Sequence, residues 1–179
     1  VDNMLYEAIE RSMDAVARYI HQARSEWVDN LSRIASGYYK AIAGDEAESI
    51  GLSFRGSLDS PEAGEEKSLL KLLDSARRHD EAVRHTGVGP HRDDIILTLD
   101  GMPMRRTGSQ GQCKTFTTAL RLAQYDFLHE ATGLRPLLLL DDVFDKLDST
   151  RVERIMKLVT GEDFGQIFVT DTNRTILTR

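Results

Sequence analysis

The chain has 179 residues, 40% of them hydrophobic and 29% charged, with a formal net charge of −6 at pH 7. That is a soluble composition, of a length for one domain or for one domain and part of another. No apolar run is long enough for a transmembrane helix, and no signal-peptide pattern opens the chain. The single cysteine, Cys113, excludes an internal disulfide and fits a reducing, cytoplasmic setting. The acidic balance does not mark the whole chain as a nucleic-acid binder, although a basic face can sit on an acidic protein.

The first forty residues carry apolar or small side chains at Ile9, Met13, Val16, Ile20, Ala23, Trp27, Leu31, Ile34, Tyr38 and Ala41. Steps of four and three alternate, with one extra four near Trp27, which is close to a heptad stripe with a stutter. The pattern predicts one long helix, roughly 60 Å at 1.5 Å per residue. An arm or coiled-coil stalk suits this length, and a long helix inside a bundle is the alternative. Next, Ile50, Leu52 and Phe54 alternate with Gly51, Ser53 and Arg55, predicting a short strand. A polar loop fills 56–65, and Ser60-Pro61 can open a second helix with proline in its first turn. Leu69, Leu72, Leu73, Ala76 and Val83 give that helix its spacing. Thr86-Gly87-Val88-Gly89-Pro90 closes it and reads as a domain boundary.

The remainder reads as α/β. Ile95 to Leu99 is a strand and Asp100-Gly101 a hairpin turn, with Met102 to Arg105 as the returning partner. A helix is expected from about Gln112 to Glu130. Leu137-Leu138-Leu139-Leu140 is a continuous apolar run, as for a strand buried on both faces. A helix over about Ser149 to Val159 and a second buried strand from Gln166 to Thr170 follow. This order predicts a mostly parallel sheet with flanking helices.

Three motifs carry chemistry. A strand ending in Asp141-Asp142 has the layout of a Walker B element, because ligand sites in α/β sheets lie at the carboxyl ends of strands. Its first acid can hold Mg²⁺ and its second can orient or deprotonate an attacking water. The bland alternative is a strand followed by an acidic turn. Ser109-Gln110-Gly111-Gln112 places a hydroxyl and free backbone N–H groups at a helix start, which serves either an anion or an ordinary cap. Asp145-Lys146-Leu147-Asp148 opens the next helix, with Asp148 or Ser149 as its cap. Arg84, Arg92, Arg105, Arg106, Lys114 and Arg121 make one locally basic stretch, readable as a solvated surface or as a phosphate-binding face.

The order of the three motifs resembles an ABC-type ATPase head: signature, helix, Walker B, D-loop. Thr86-Gly-Val-Gly-Pro-His-Arg-Asp-Asp94, Ser109-Gln-Gly-Gln112, Ala119-Leu-Arg-Leu-Ala-Gln124 and Leu138-Leu-Leu-Asp-Asp-Val143 together resemble the RecF family of bacterial DNA replication and repair proteins. The resemblance covers essentially the whole chain and is strongest from residue 86 onward. It implies a helical arm segment over 1–85 and the C-terminal lobe of an ABC-type head over 86–179. It makes Ser109, Gly111 and Gln112 the signature residues that meet ATP bound to the other subunit of a dimer. Asp148 becomes the D-loop acid, Asp141 the metal-binding acid and Asp142 the catalytic carboxylate. It further implies ATP-dependent dimerisation on duplex or gapped DNA, in repair, replication and the SOS response. RecO and RecR are the implied partners, with RecA loaded as the outcome and no membrane involved.

Two departures qualify the resemblance. No Gly-x-x-x-x-Gly-Lys-Ser/Thr loop occurs in the sequence. The chain therefore reads as the C-terminal half of such a protein, unable to hydrolyse ATP alone, the intact protein being a slow ATPase. Where an ABC head carries a switch histidine, this sequence has Val169-Thr170-Asp171-Thr172, so Asp171 or Thr172 is the candidate for facing the γ-phosphate. Arg105, Arg106 and Arg92 are candidate DNA phosphate contacts, without sequence preference. His91 and Arg92 also read as a packed loop, with His91 on backbone and Arg92 paired to Asp93 or Asp94. Rival readings are an SMC or break-repair type ATPase, an ABC transporter subunit, and an interaction module with degenerate motifs.

Overall fold

The computed structural model describes residues 3–45 and 47–170. In chain order the elements are α1 (Asn3–Ala43), β1 (Ile50–Arg55), α2 (Leu69–Val83), β2 (Asp94–Leu99), β3 (Met102–Pro103), α3 (Met104–Thr107), α4 (Gln110–Thr132), β4 (Leu138–Asp141), α5 (Ser149–Val159) and β5 (Ile167–Thr170). Single 3₁₀ turns occupy Ser57–Asp59, Pro61–Ala63 and Pro90–Arg92. The proline at 61 does start helical backbone, but Gly64, at φ +70°, ends it after one turn. The second helix begins instead at Ser68, whose hydroxyl accepts the Lys71 N–H.

The strands form two small sheets, ordered β1-β2-β3 and β4-β5. This corrects the expected mostly parallel sheet. A two-residue turn at Asp100-Gly101 can only reverse the chain, so β2 and β3 are antiparallel, with Leu99 opposite Met102. A helical crossover through α5 returns the chain in the same sense, so β4 and β5 are parallel, with Leu139 opposite Phe168. The returning strand is also shorter than expected, because Met104 begins α3.

The chain forms two compact units that interleave in sequence: Val1–Asn30 with Leu52–Ile96, and Leu31–Gly51 with Leu97–Arg179. In the first, Ala17, Leu58, Ala63, Leu69 and Leu72 make a small core, with Leu73 and Val88 against it. Polar groups pin it. Asp14 pairs with Arg18 and accepts from the Ser68 hydroxyl at 3.2 Å and the Leu70 N–H at 3.3 Å. Burial pushes the Asp14 carboxyl up, but those N–H and guanidinium donors outweigh it and hold the group below its ordinary value. His21 packs on Phe54, ring centroids 5.2 Å apart, and its Nε2 lies 2.8 Å from Lys67 Nζ. Lys67 also donates to Asp59 at 2.8 Å.

The buried face of α1 in this unit is Asp14, Ala17, His21 and Val28. The N-terminal part of the heptad stripe lies off this face: Ile9, Met13 and Val16 are exposed, Val16 by 56%, while Ala17 is 2% exposed. Heptad spacing marks an apolar seam, but the segment 57–72 packs on the adjacent face, where small and polar side chains let it approach and bond.

The second unit has a larger core, in which Leu122, Leu138, Leu140, Val152, Ile155 and Phe164 are buried. Tyr125 stacks on Phe164 at 4.7 Å, and its hydroxyl oxygen accepts the Gly165 N–H at 2.8 Å. Tyr38 donates to Asp126 at 2.7 Å. Burial first, then this shared hydrogen bond, raises the Tyr38 pKa; burial also raises that of Asp126. The expectation that β4 and β5 are buried on both faces is corrected here. Leu138 and Leu140 are buried, but Leu139 is 64% and Phe168 50% exposed, because only one face of this two-stranded sheet meets helices among the described residues.

Candidate functional site

The Ser109 segment, the end of β4 and the start of α5 all belong to the second unit. Ser109 caps α4: its hydroxyl oxygen accepts the Gln112 N–H at 3.2 Å, and its own N–H donates to Gln112 Oε1 at 2.7 Å. This reciprocal capping box uses the oxygen lone pair and leaves the hydroxyl hydrogen free to donate outward. Ser109 is exposed, at a helix end whose free N–H groups favour an anion. The cap and the anion site are therefore compatible. Gln112 extends the network, donating from Nε2 to Glu48 Oε1 at 2.6 Å. Sequence inspection missed Glu48, which lies 64 residues away and has no local signal.

Gly111 is a point of close approach. A Cβ there would sit 3.0 Å from Arg151 Nη1 and 3.2 Å from the Lys146 carbonyl oxygen. The glycine thus lets the 109–112 segment lie against the turn that precedes α5. A shallow open groove beside it is lined by Gly108, Gln110, Cys113, Lys114, Thr117 and Lys146. Its two lysines add positive charge beside the helix start. Cys113 is half-buried, with Sγ 3.8 Å from the Gly108 carbonyl.

β4 delivers Asp141 to its carboxyl end, where the side chain accepts a hydrogen bond from the Thr170 hydroxyl. Asp142 leaves the strand at φ +47°, a left-handed conformation that aspartate tolerates better than most residues. Its N–H donates to the Thr170 carbonyl at 3.1 Å. Both carboxylates are exposed. Thr170 supports both acids, a role its sequence position did not reveal. Asp148 is the cap of α5: it accepts the Arg151 N–H at 2.9 Å and lies 3.6 Å from Arg151 Nε. Arg151 thus borders both Asp148 and Gly111.

Asp171 and Thr172 lie outside the described residues. In the first unit, His91 Nε2 lies 2.9 Å from the Thr86 carbonyl oxygen, as the packed-loop alternative expects. The expected pairing of Arg92 is corrected. Asp93 instead pairs with Arg24 at 2.7 Å and accepts the Ser57 N–H, while Asp94 pairs with Arg55 at 3.1 Å. These acids face across the fold to partners from distant segments, and Arg92 stays exposed beside Ser57 and Ser60. Arg105 and Arg106 are exposed on α3 and enter no ion pair among the described residues. No helix there is long and apolar enough to cross a membrane.

The decisive likeness is in sequence. Over 177 residues, 99% of its length, the chain is 42% identical to the DNA replication and repair protein RecF of Parabacteroides distasonis. It is a RecF homologue spanning about half of that protein. RecF of Bacteroides thetaiotaomicron is 41% identical over the full chain. In both cases the chain spans 47% of the relative. Among solved structures, the recombination mediator RecF in the RecFOR pathway, in its ATPγS form, superposes with a TM-score of 0.73 at 28% identity. That match covers 97% of this chain and 46% of the other. The corresponding ATP form superposes with a TM-score of 0.69. No family model matches the chain.

Proposed function

We propose that the full-length protein is an ATP-gated, dimerising DNA binder of the RecFOR type. In this reading Ser109 of one subunit donates its free hydroxyl hydrogen to the γ-phosphate of ATP held by the other. The observation that carries the proposal is the capping box at Ser109, whose oxygen accepts the Gln112 N–H without using the hydroxyl hydrogen, at an exposed helix start. Gly111 and Gln112 complete the contact by keeping the helix end bare and fixed. Asp148, exposed at the start of α5, meets the partner subunit. Asp171 and Thr172 remain candidates for facing the γ-phosphate.

Asp141 and Asp142 fit a Mg²⁺ site: both donors are exposed carboxylates, and this hard cation is held by one or two such groups with waters and substrate phosphates. Asp141, oriented by Thr170, would hold the ion. Bound there, Mg²⁺ would neutralise charge on the phosphate oxygens. Asp142, turned out of the strand by its positive φ, orients the attacking water. The phosphate-cradling loop must come from outside this chain, so ATP binding belongs to the longer polypeptide.

Arg105, Arg106 and Arg92, exposed and in no ion pair among the described residues, supply positive charge for the DNA backbone, giving affinity without sequence preference. Function with RecO and RecR, leading to RecA loading on gapped DNA, follows from the RecFOR likeness. The test is anisotropy of a labelled gapped duplex with the full-length protein, with and without ATP. Binding should require ATP and be lost in Ser109→Arg. Binding indifferent to ATP, or intact in Ser109→Arg, would overturn the proposal.

A further inference from the structure

We infer that Glu48 is a positioning residue for the signature serine; the inference rests on the ATP-gated reading above. Ser109 can aim its hydroxyl hydrogen outward only while its oxygen accepts the Gln112 N–H and its own N–H is occupied by Gln112 Oε1. The Gln112 amide has two chemically different ends, and a flip would present its NH₂ to the Ser109 N–H, donor against donor. Glu48 prevents the flip. An ionised carboxylate only accepts, and at 2.6 Å it holds the NH₂ end toward itself. The oxygen end is thereby committed to Ser109.

Glu48 is itself held in place. Ser49, the next residue, donates from its N–H and its hydroxyl to Asp100 Oδ1, at 2.8 and 3.0 Å. Asp100 returns its own N–H to the Ser49 carbonyl at 2.8 Å. The hairpin turn at Asp100 thus fixes residue 49, residue 49 fixes Glu48, and Glu48 fixes the amide that orients Ser109. All these groups lie in one compact unit.

The test uses the full-length protein and two readouts. The first is amide hydrogen exchange of residues 109–112 without nucleotide. The second is the ATP concentration giving half-maximal dimerisation by light scattering. Glu48→Ala should speed exchange at 109–112 and raise the ATP requirement about tenfold, the size expected for one charge-assisted hydrogen bond. Glu48→Gln keeps an acceptor oxygen and should stay within about threefold of wild type. Gln112→Glu sets two carboxylates against each other and should lose the response. Adding Glu48→Gln to it restores a donor–acceptor pair and should recover part of it.

Unchanged exchange in Glu48→Ala overturns the inference, whatever ATP does. So does faster exchange with an unaltered ATP requirement, because orientation of Ser109 would then not matter. If wild type fails to dimerise with ATP, the functional reading falls and the inference with it, recognised because the failure does not depend on residue 48.

Discussion

The interior of the Leu31–Gly51/Leu97–Arg179 unit is apolar and aromatic, whereas that of the Val1–Asn30/Leu52–Ile96 unit is pinned by polar side chains. In the former, Leu138, Leu140, Val152 and Ile155 form an apolar interior that Tyr125 and Tyr38 tie with single hydrogen bonds, while Ser109, Asp141 and Asp148 make theirs at the surface. In the latter, Asp14, His21, Asp59 and Lys67 fasten α1 to the segment leading into α2. The contrast teaches where each part can tolerate change. A large apolar core supports exposed motif residues without constraining their chemistry, while a small apolar core fastened by polar pairs is sensitive to the loss of single partners.

The largest expected effect is in the apolar core. Ile155→Ala should destabilise the chain by about 2–5 kcal/mol in chemical denaturation, because the residue is wholly buried and its cavity is enclosed. A loss near the surface value would show that this interior is loosely packed and would break the contrast. The polar pins of the other unit should respond next. Asp14→Ala strands the Leu70 N–H and the Ser68 hydroxyl and should cost about 1–3 kcal/mol.

Asp14 also sets a pH dependence. Its folded pKa is lowered, so its stabilisation is fully present above the ordinary value of 3.8 and is lost as pH falls below that through the folded value. Wild type should weaken in this acid window and Asp14→Ala should weaken less there. Equal acid sensitivity would assign the effect to other carboxylates. The smallest effect is expected on the apolar seam of α1. Val16→Lys in this 179-residue chain should shift stability by less than about 0.5 kcal/mol, since Val16 is exposed. A large loss would return the seam to the core and overturn the assignment of the Ala17 face.

Much of this was legible in the chain. α5 and β1 match their expected spans and α1 nearly so, since cap chemistry, period and glycine placement are local signals. The motif residues were legible for the same reason: Ser109 and Asp148 precede helices, and Asp141 ends an apolar strand. The register of α1 was not. An apolar stripe says which face can be buried, and only the arrival of the 57–72 segment decides which face is.

Local pattern by itself determined α1, α4 and α5, the hairpin reversal at Asp100-Gly101 and the strand carrying Asp141, and the motif residues carried the resemblance to RecF. Tertiary structure alone decided the interleaved units, the exposed Leu139–Phe168 face, the partners of Asp93 and Asp94, and the reach of Glu48 to Gln112. The division has one physical cause. Backbone propensity and capping act within a few residues, while burial and long-range hydrogen bonds depend on which distant segment comes to rest alongside.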